Sequence, residues 1–149
     1  MKSRRACREA ALQALYQFDT LGEFSADQLD FFLVHFQSQA QLDDDDQESR
    51  VVADQFCREL VSGVVSNIDA IDEAIARASV NWSVSRMARV DRTIIRLAAY
   101  EIMFVDDIPS KVSINEAIEV AKRFSAPEAP TFINGLLDKL AAQEQKPKR

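Results

Sequence analysis

The chain has 149 residues, of which 47% are hydrophobic, with only 3 Gly and 4 Pro. That is the length of one domain with a core of its own. Turn residues are too scarce for a β-sandwich, a barrel or a Gly-rich nucleotide fold. One His and two Cys, with no CxxC, exclude a zinc ribbon or a redox motif. Cys7 and Cys57 read as reduced thiols of a cytoplasmic protein. The net charge is −6 but bipolar: residues 19–73 carry 14 acids against Arg50 and Arg58, whereas residues 1–18 and 74–149 each carry +3. A polyanion could dock on the two ends if the fold joins them. No apolar run reaches the 18 residues of a membrane span, and the basic residues 1–5 lack the apolar stretch of a signal peptide.

Helical periodicity predicts about seven helices and no strand. The first covers residues 4–19, with Cys7, Ala11, Ala14, Leu15 and Phe18 on the core side and Arg5, Arg8, Leu12 and Tyr16 beside it. Its basic first turn opposes the helix dipole at about 0.3–1 kcal/mol per charge. That leaves a frayed terminus or a docking end for phosphates. Ser25 and Gln28 form a capping box ahead of Leu29, Phe32, Leu33 and Phe36, with His35 as a packing or surface residue. Asp43 to Asp46 form a solvated acidic loop, since a calcium loop needs alternating ligands and a Gly. One long helix is predicted over residues 50–79, carried by Val52, Phe56, Leu60, Val64, Ile68, Ile71 and Ile75, with Gly63 marking a close helix approach.

Residues 81–85 form a connector with a capping Ser and a core Trp82. In residues 86–104, Val90, Ile94, Leu97, Ala98 and Phe104 form an apolar side that includes Glu101, which must be hydrogen-bonded or paired there. Arg89, Arg92 and Arg96 lie opposite. Asp91 aligns with Ile95, Ala98 and Ile102, as the acidic rim of a protein-docking strip or as half of a local ion pair. Asp106 to Pro109 stop the helix. Ser113-Ile114-Asn115-Glu116 matches a capping box, followed by a Glu119–Arg123 pair. Pro130 opens the last helix, whose buried face is Phe132, Ile133, Leu136, Leu137 and Leu140. Gly135, on its other face, implies a close contact that rewards its helical cost. Residues 1–3 and 143–149 are expected to be disordered. No phosphate loop, nucleophile elbow or singled-out acid pair is present. The chain therefore reads as a binding module without catalytic residues, metal or cofactor.

Five stretches, in order, resemble the NusB family of bacterial transcription antitermination factors. They are Arg4-Arg5-Ala6-Cys7-Arg8-Glu9 running into Ala11-Leu12-Gln13-Ala14-Leu15-Tyr16; Trp82 to Arg96 with Arg86-Met87 and Val90-Asp91-Arg92; Leu97-Ala98-Ala99-Tyr100-Glu101; Ile108-Pro109 through Val112-Ser113-Ile114-Asn115-Glu116-Ala117-Ile118-Glu119 to Phe124; and Phe132-Ile133-Asn134-Gly135-Leu136-Leu137-Asp138. The resemblance implies a single all-α, NusB-like domain over residues 1–149, built as two packed helical bundles. It implies a cytoplasmic bacterial factor that binds single-stranded boxA RNA in ribosomal RNA leaders with NusE, ribosomal protein S-ten. This would take place within an RNA polymerase elongation complex with other Nus factors. Arg4, Arg5, Arg8, Glu128 and Phe132 would carry RNA binding, with Phe132 either stacking on a base or lying in the core. Tyr16 and Asp91 would carry NusE docking. Ser3 and Thr131 stand where relatives often have a base, which implies weak RNA binding alone, strengthened by NusE, with a shallow salt slope. The alternatives are a helical protein-interaction module and an accessory domain akin to the NusB-like domain of RNA methyltransferases.

Overall fold

A computed structural model describes residues 2–22, 47–79 and 83–144. Their elements are α1 (Lys2–Leu21), α2 (Gln47–Ser66), α3 (Ile68–Ala78), a 3-10 turn (Val84–Arg86), α4 (Arg89–Phe104), α5 (Ser110–Phe124) and α6 (Ala129–Gln143). No strand occurs among the described residues. The helix expected from Ser25, His35, the acidic run and Trp82 lie outside them. The chain divides into two compact units, Met1–Val65 and Ser66–Arg149.

In the first unit, α1 buries the expected stripe and more: Cys7, Ala10, Ala11, Leu12, Ala14, Leu15 and Phe18. Helix α1 begins at Lys2. Gly22 ends α1 at φ +75°, its N–H donating to the Phe18 carbonyl at 2.8 Å. Only Gly takes this left-handed position without a Cβ penalty.

The single helix expected over residues 50–79 breaks at Asn67, which sits at φ −119°, ψ 21° between α2 and α3. Asn favours helix starts, and Asp69 complements the dipole of the new first turn. The Ile71 N–H donates to the Asn67 carbonyl at 2.9 Å, the first hydrogen bond of α3. Leu60 and Val64 are buried before it, Ile71 and Ile75 after it.

In the second unit α4 is central, packed by α3, α5 and α6, while α6 also packs on α3 and α5. With three neighbours, α4 buries Thr93, Ile94, Ile95, Leu97, Ala98, Ala99, Glu101 and Ile102. The Ile95, Ala98, Ile102 strip therefore faces the interior and is not an open docking strip. Phe104, expected inside, is 42% exposed in the last turn and stacks on Tyr100, ring centroids 5.5 Å apart.

Two sequence features resolve each other. Glu101 is 2% exposed and Ser113 is 1% exposed, and Ser113 Oγ donates to Glu101 Oε1 at 3.0 Å. Ser113 is thus no cap: α5 starts three residues earlier, directly after Pro109. Its hydroxyl supplies the donor that a carboxylate on an apolar face requires. Nearby, Arg96 makes a two-pronged contact with Asp72, Nε to Oδ1 and Nη2 to Oδ2 at 2.8 Å each, tying α4 to α3.

The C-terminal boundary also differs from expectation. Gln143 closes α6, and Glu144 accepts from Arg77 Nη2 at 2.8 Å, which anchors residues expected to be disordered. Glu119 meets Lys122 at 3.3 Å, and not the expected Arg123, whose guanidinium lies 5.3 Å from the Phe124 ring centroid. Gly135 is exposed, and a Cβ built there meets nothing within 4 Å, so the expected close contact is absent among the described residues.

Candidate nucleic-acid interface

In the first unit, the α1 arginines divide by burial. Arg5 is exposed, Arg4 is half-buried and Arg8 is only 6% exposed. Positions 4 and 8 are one turn apart on the same face, so two like charges meet there, at a cost of about 0.2–0.5 kcal/mol. The dipole of α1 adds its own penalty, since no acid occupies the first turn. Both costs are offset by one ring. The Arg4 guanidinium carbon lies 5.0 Å from the Phe56 centroid, and that of Arg8 5.4 Å. Each cation–π contact contributes about 0.5–1 kcal/mol when exposed and about 2 when desolvated. Sequence reasoning placed Phe56 in the core stripe and assigned it no role. The signal for it was the Arg–Arg pair at i, i+4, which demands a partner.

Tyr16, further along α1, is 42% exposed and Leu21 is 56% exposed. Both are large apolar side chains left in solvent on the helix that carries the arginines.

In the second unit, the 3-10 turn, α4 and the start of α6 line an open pocket of about 410 Å³. Its lining is Arg86, Met87, Ala88, Asp91, Ala126, Glu128, Ala129 and Phe132. Three residues singled out from the sequence thus meet in one place. Phe132 lies on α6 between the buried Ala129 and Ile133, and its half-buried ring forms a wall of the cavity. Glu128 sits at the N-cap of α6, held there by the two-proline loop. Asp91 occupies the first turn of α4, where the dipole favours its charge. Asp91 Oδ1 is buried with no hydrogen-bond partner, so it is not half of an ion pair through that atom. Ser125 Oγ, next in the chain to cavity-lining Ala126, is likewise buried and unpartnered. Unsatisfied polar atoms cost about 1–3 kcal/mol each. Arg86 and Met87, part of the recognised motif but given no role from sequence, complete the lining.

An aromatic wall, an apolar floor, one exposed cation and two carboxylates suit a flat heterocycle with amino donors and an attached anion. A nucleotide has that chemistry. Among the described residues the fold is all-helical.

The sequence profile of the NusB family matches residues 5–142. The chain is 49% identical over 146 residues to the transcription antitermination protein NusB of Geotalea uraniireducens (strain Rf4), covering 95% of this chain and 96% of that one. It is 44% identical to the NusB of Myxococcus xanthus (strain DK1622), covering 99% and 100%. Among solved structures, T. maritima NusB superposes with a TM-score of 0.79 at 34% identity, covering 96% of this chain and 93% of that one. The chain belongs to the NusB family of transcription antitermination factors, which are regulatory proteins and not enzymes. No helix among the described residues is long and apolar enough to cross a membrane.

Proposed function

We propose that this chain binds single-stranded boxA RNA in the leaders of ribosomal RNA transcripts, together with NusE, ribosomal protein S-ten. It would do so within an RNA polymerase elongation complex that carries other Nus factors. The observation that carries the reading is the pocket walled by Phe132, with Arg86 and Glu128 on its lining. A base stacks on Phe132 at this pocket. Arg86, exposed at the same cavity, meets the adjoining phosphate. Glu128, at the N-cap of α6, offers an acceptor for the base and repels a phosphate that enters the wrong way round. Tyr16, exposed on α1, and Asp91, in the first turn of α4, are the NusE contacts.

Arg5, the exposed member of the α1 cluster, contacts RNA phosphate directly, with Arg4 beside it in sequence. Arg8 is enclosed and acts from behind, through its contact with Phe56. A crystal structure of NusB and NusE in complex with double-stranded RNA shares this fold, with a TM-score of 0.78 at 22% identity. The RNA of that assembly is double-stranded, whereas the RNA proposed here is single-stranded.

The test is fluorescence anisotropy of a labelled boxA RNA beside a scrambled RNA, with and without NusE, at two salt concentrations. Selective binding that NusE strengthens is expected. Phe132→Ala should remove a stacking contact of about 1–3 kcal/mol, a loss of about 5- to 150-fold in affinity. Equal binding of boxA and scrambled RNA under every condition would refute the boxA reading. Unchanged affinity in Phe132→Ala would refute the cavity as the base site.

A further inference from the structure

The proposed RNA reading leaves one residue without a role. Phe56 lies outside the resembling stretches, on α2, and is only half-buried. A ring that served packing alone would sit among the fully buried Leu60, Val61 and Val64 of the same helix. Instead, the guanidiniums of Arg4 and Arg8 lie 5.0 and 5.4 Å from its centroid.

We infer that Phe56 is a positioning residue for RNA binding: its ring fixes the direction of the Arg4 guanidinium, with Arg8 as the inner cation on the same ring. The physical reason is that a π face attracts a cation without neutralising it. A carboxylate in that place would hold Arg4 equally well but would cancel the charge that a phosphate needs. The ring instead engages the flat face of the guanidinium and leaves its N–H edge for phosphate oxygens. Arg8 is 6% exposed, so it cannot reach far toward a ligand, but it adds positive potential beneath the exposed end of α1. A phosphate arriving there also meets the helix N-terminus, whose dipole the arginines alone oppose. Held in advance, Arg4 loses less side-chain freedom on binding.

The inference rests on the proposed RNA reading, and the experiment separates the two. Full-length chain with NusE is titrated into labelled boxA RNA for wild type, Arg4→Ala, Arg5→Ala, Phe56→Leu and the Arg4→Ala/Phe56→Leu double variant. Circular dichroism confirms that each is folded. Phe56→Leu should weaken binding about two- to fivefold. The double variant should bind no worse than Arg4→Ala, because both changes disable the same cation. The dependence of log Kd on log salt should become shallower in Phe56→Leu, by up to about 0.7 for one lost phosphate contact. A purely structural role would leave that slope unchanged.

Wild-type affinity in Phe56→Leu beside a weakened Arg4→Ala overturns the positioning role and leaves the RNA reading intact. Additive losses in the double variant also overturn it, since Phe56 would then act apart from Arg4. Wild-type affinity in both Arg4→Ala and Arg5→Ala overturns the RNA reading of α1, and the positioning role with it. If Phe56→Leu does not fold, Arg4→Lys decides: it keeps the charge but loses the flat stacking group, and at least a twofold loss is expected. Wild-type binding by Arg4→Lys overturns the inference.

Discussion

Replacing Ser113 by Ala tests how much one hydroxyl contributes to holding a buried carboxylate. Ser113 Oγ donates to Glu101 Oε1 at 3.0 Å, and both residues are at most 2% exposed. A hydrogen bond to a charged group contributes about 1.5–3 kcal/mol when its removal leaves the charge short of a donor. Against this, Ala is the better helix former, by up to about 0.5 kcal/mol at an interior position. The net loss expected for Ser113→Ala is therefore about 1–2.5 kcal/mol. For a chain of this size, each kcal/mol lowers Tm by about 2–4 °C. A thermal melt followed by circular dichroism should then show a drop of about 2–10 °C. Glu101→Gln, alone and combined with Ser113→Ala, closes a double-mutant cycle whose coupling belongs to this pair. A Tm for Ser113→Ala at or above wild type would refute the reasoning, because helix propensity would then outweigh the hydrogen bond.

Three further outcomes follow from the same geometry. Gly135→Ala should stabilise the fold by about 0.5–1 kcal/mol, since the site is open and helical; a melt with lowered Tm would mean that the space is not free. Arg96→Lys replaces a two-pronged contact with Asp72 by a single charge and should cost about 1 kcal/mol in urea denaturation; wild-type stability would reduce the pair to an incidental contact. Arg8→Ala should destabilise the protein by about 1–2 kcal/mol through its lost contact with Phe56, whereas Arg5→Ala should lower RNA affinity and leave the melt unchanged; a reversed pattern in melting and anisotropy would contradict the burial of Arg8.

The helices were legible wherever an amphipathic stripe runs long enough. The faces of α1 and α6, the stop before Pro109 and the Pro in the first turn of α6 follow from spacing and backbone chemistry alone. The break at Asn67 was not legible, because the apolar spacing in the sequence runs on without interruption and periodicity carries no record of a single misaligned peptide plane. The Ser113 motif misled for a related reason. The letters S-x-x-E describe a local capping geometry, but the hydroxyl found its acceptor twelve residues away in sequence, on α4. The reading of Gly135 failed because a helical cost in the sequence does not reveal whether the space beside it is filled.

The candidate site shows the same division. Residue chemistry and a family pattern were enough to single out Arg4, Arg5, Arg8, Asp91, Glu128 and Phe132, because charge, aromaticity and motif order are properties of the chain itself. Which of them share a surface depends on contacts between helices distant in sequence. Only the packing of α4 against α6 brings Asp91 and Phe132 to one cavity and leaves Asp91 Oδ1 without a partner. Only the placement of Phe56 on α2 turns Arg8 from an expected phosphate contact into an enclosed cation. The sequence by itself determined the helical class, the family and the kind of chemistry, since these rest on local periodicity and residue type. The tertiary structure decided which charges are spent inside the protein and which remain for a ligand, because burial is set by the neighbours that close over a side chain.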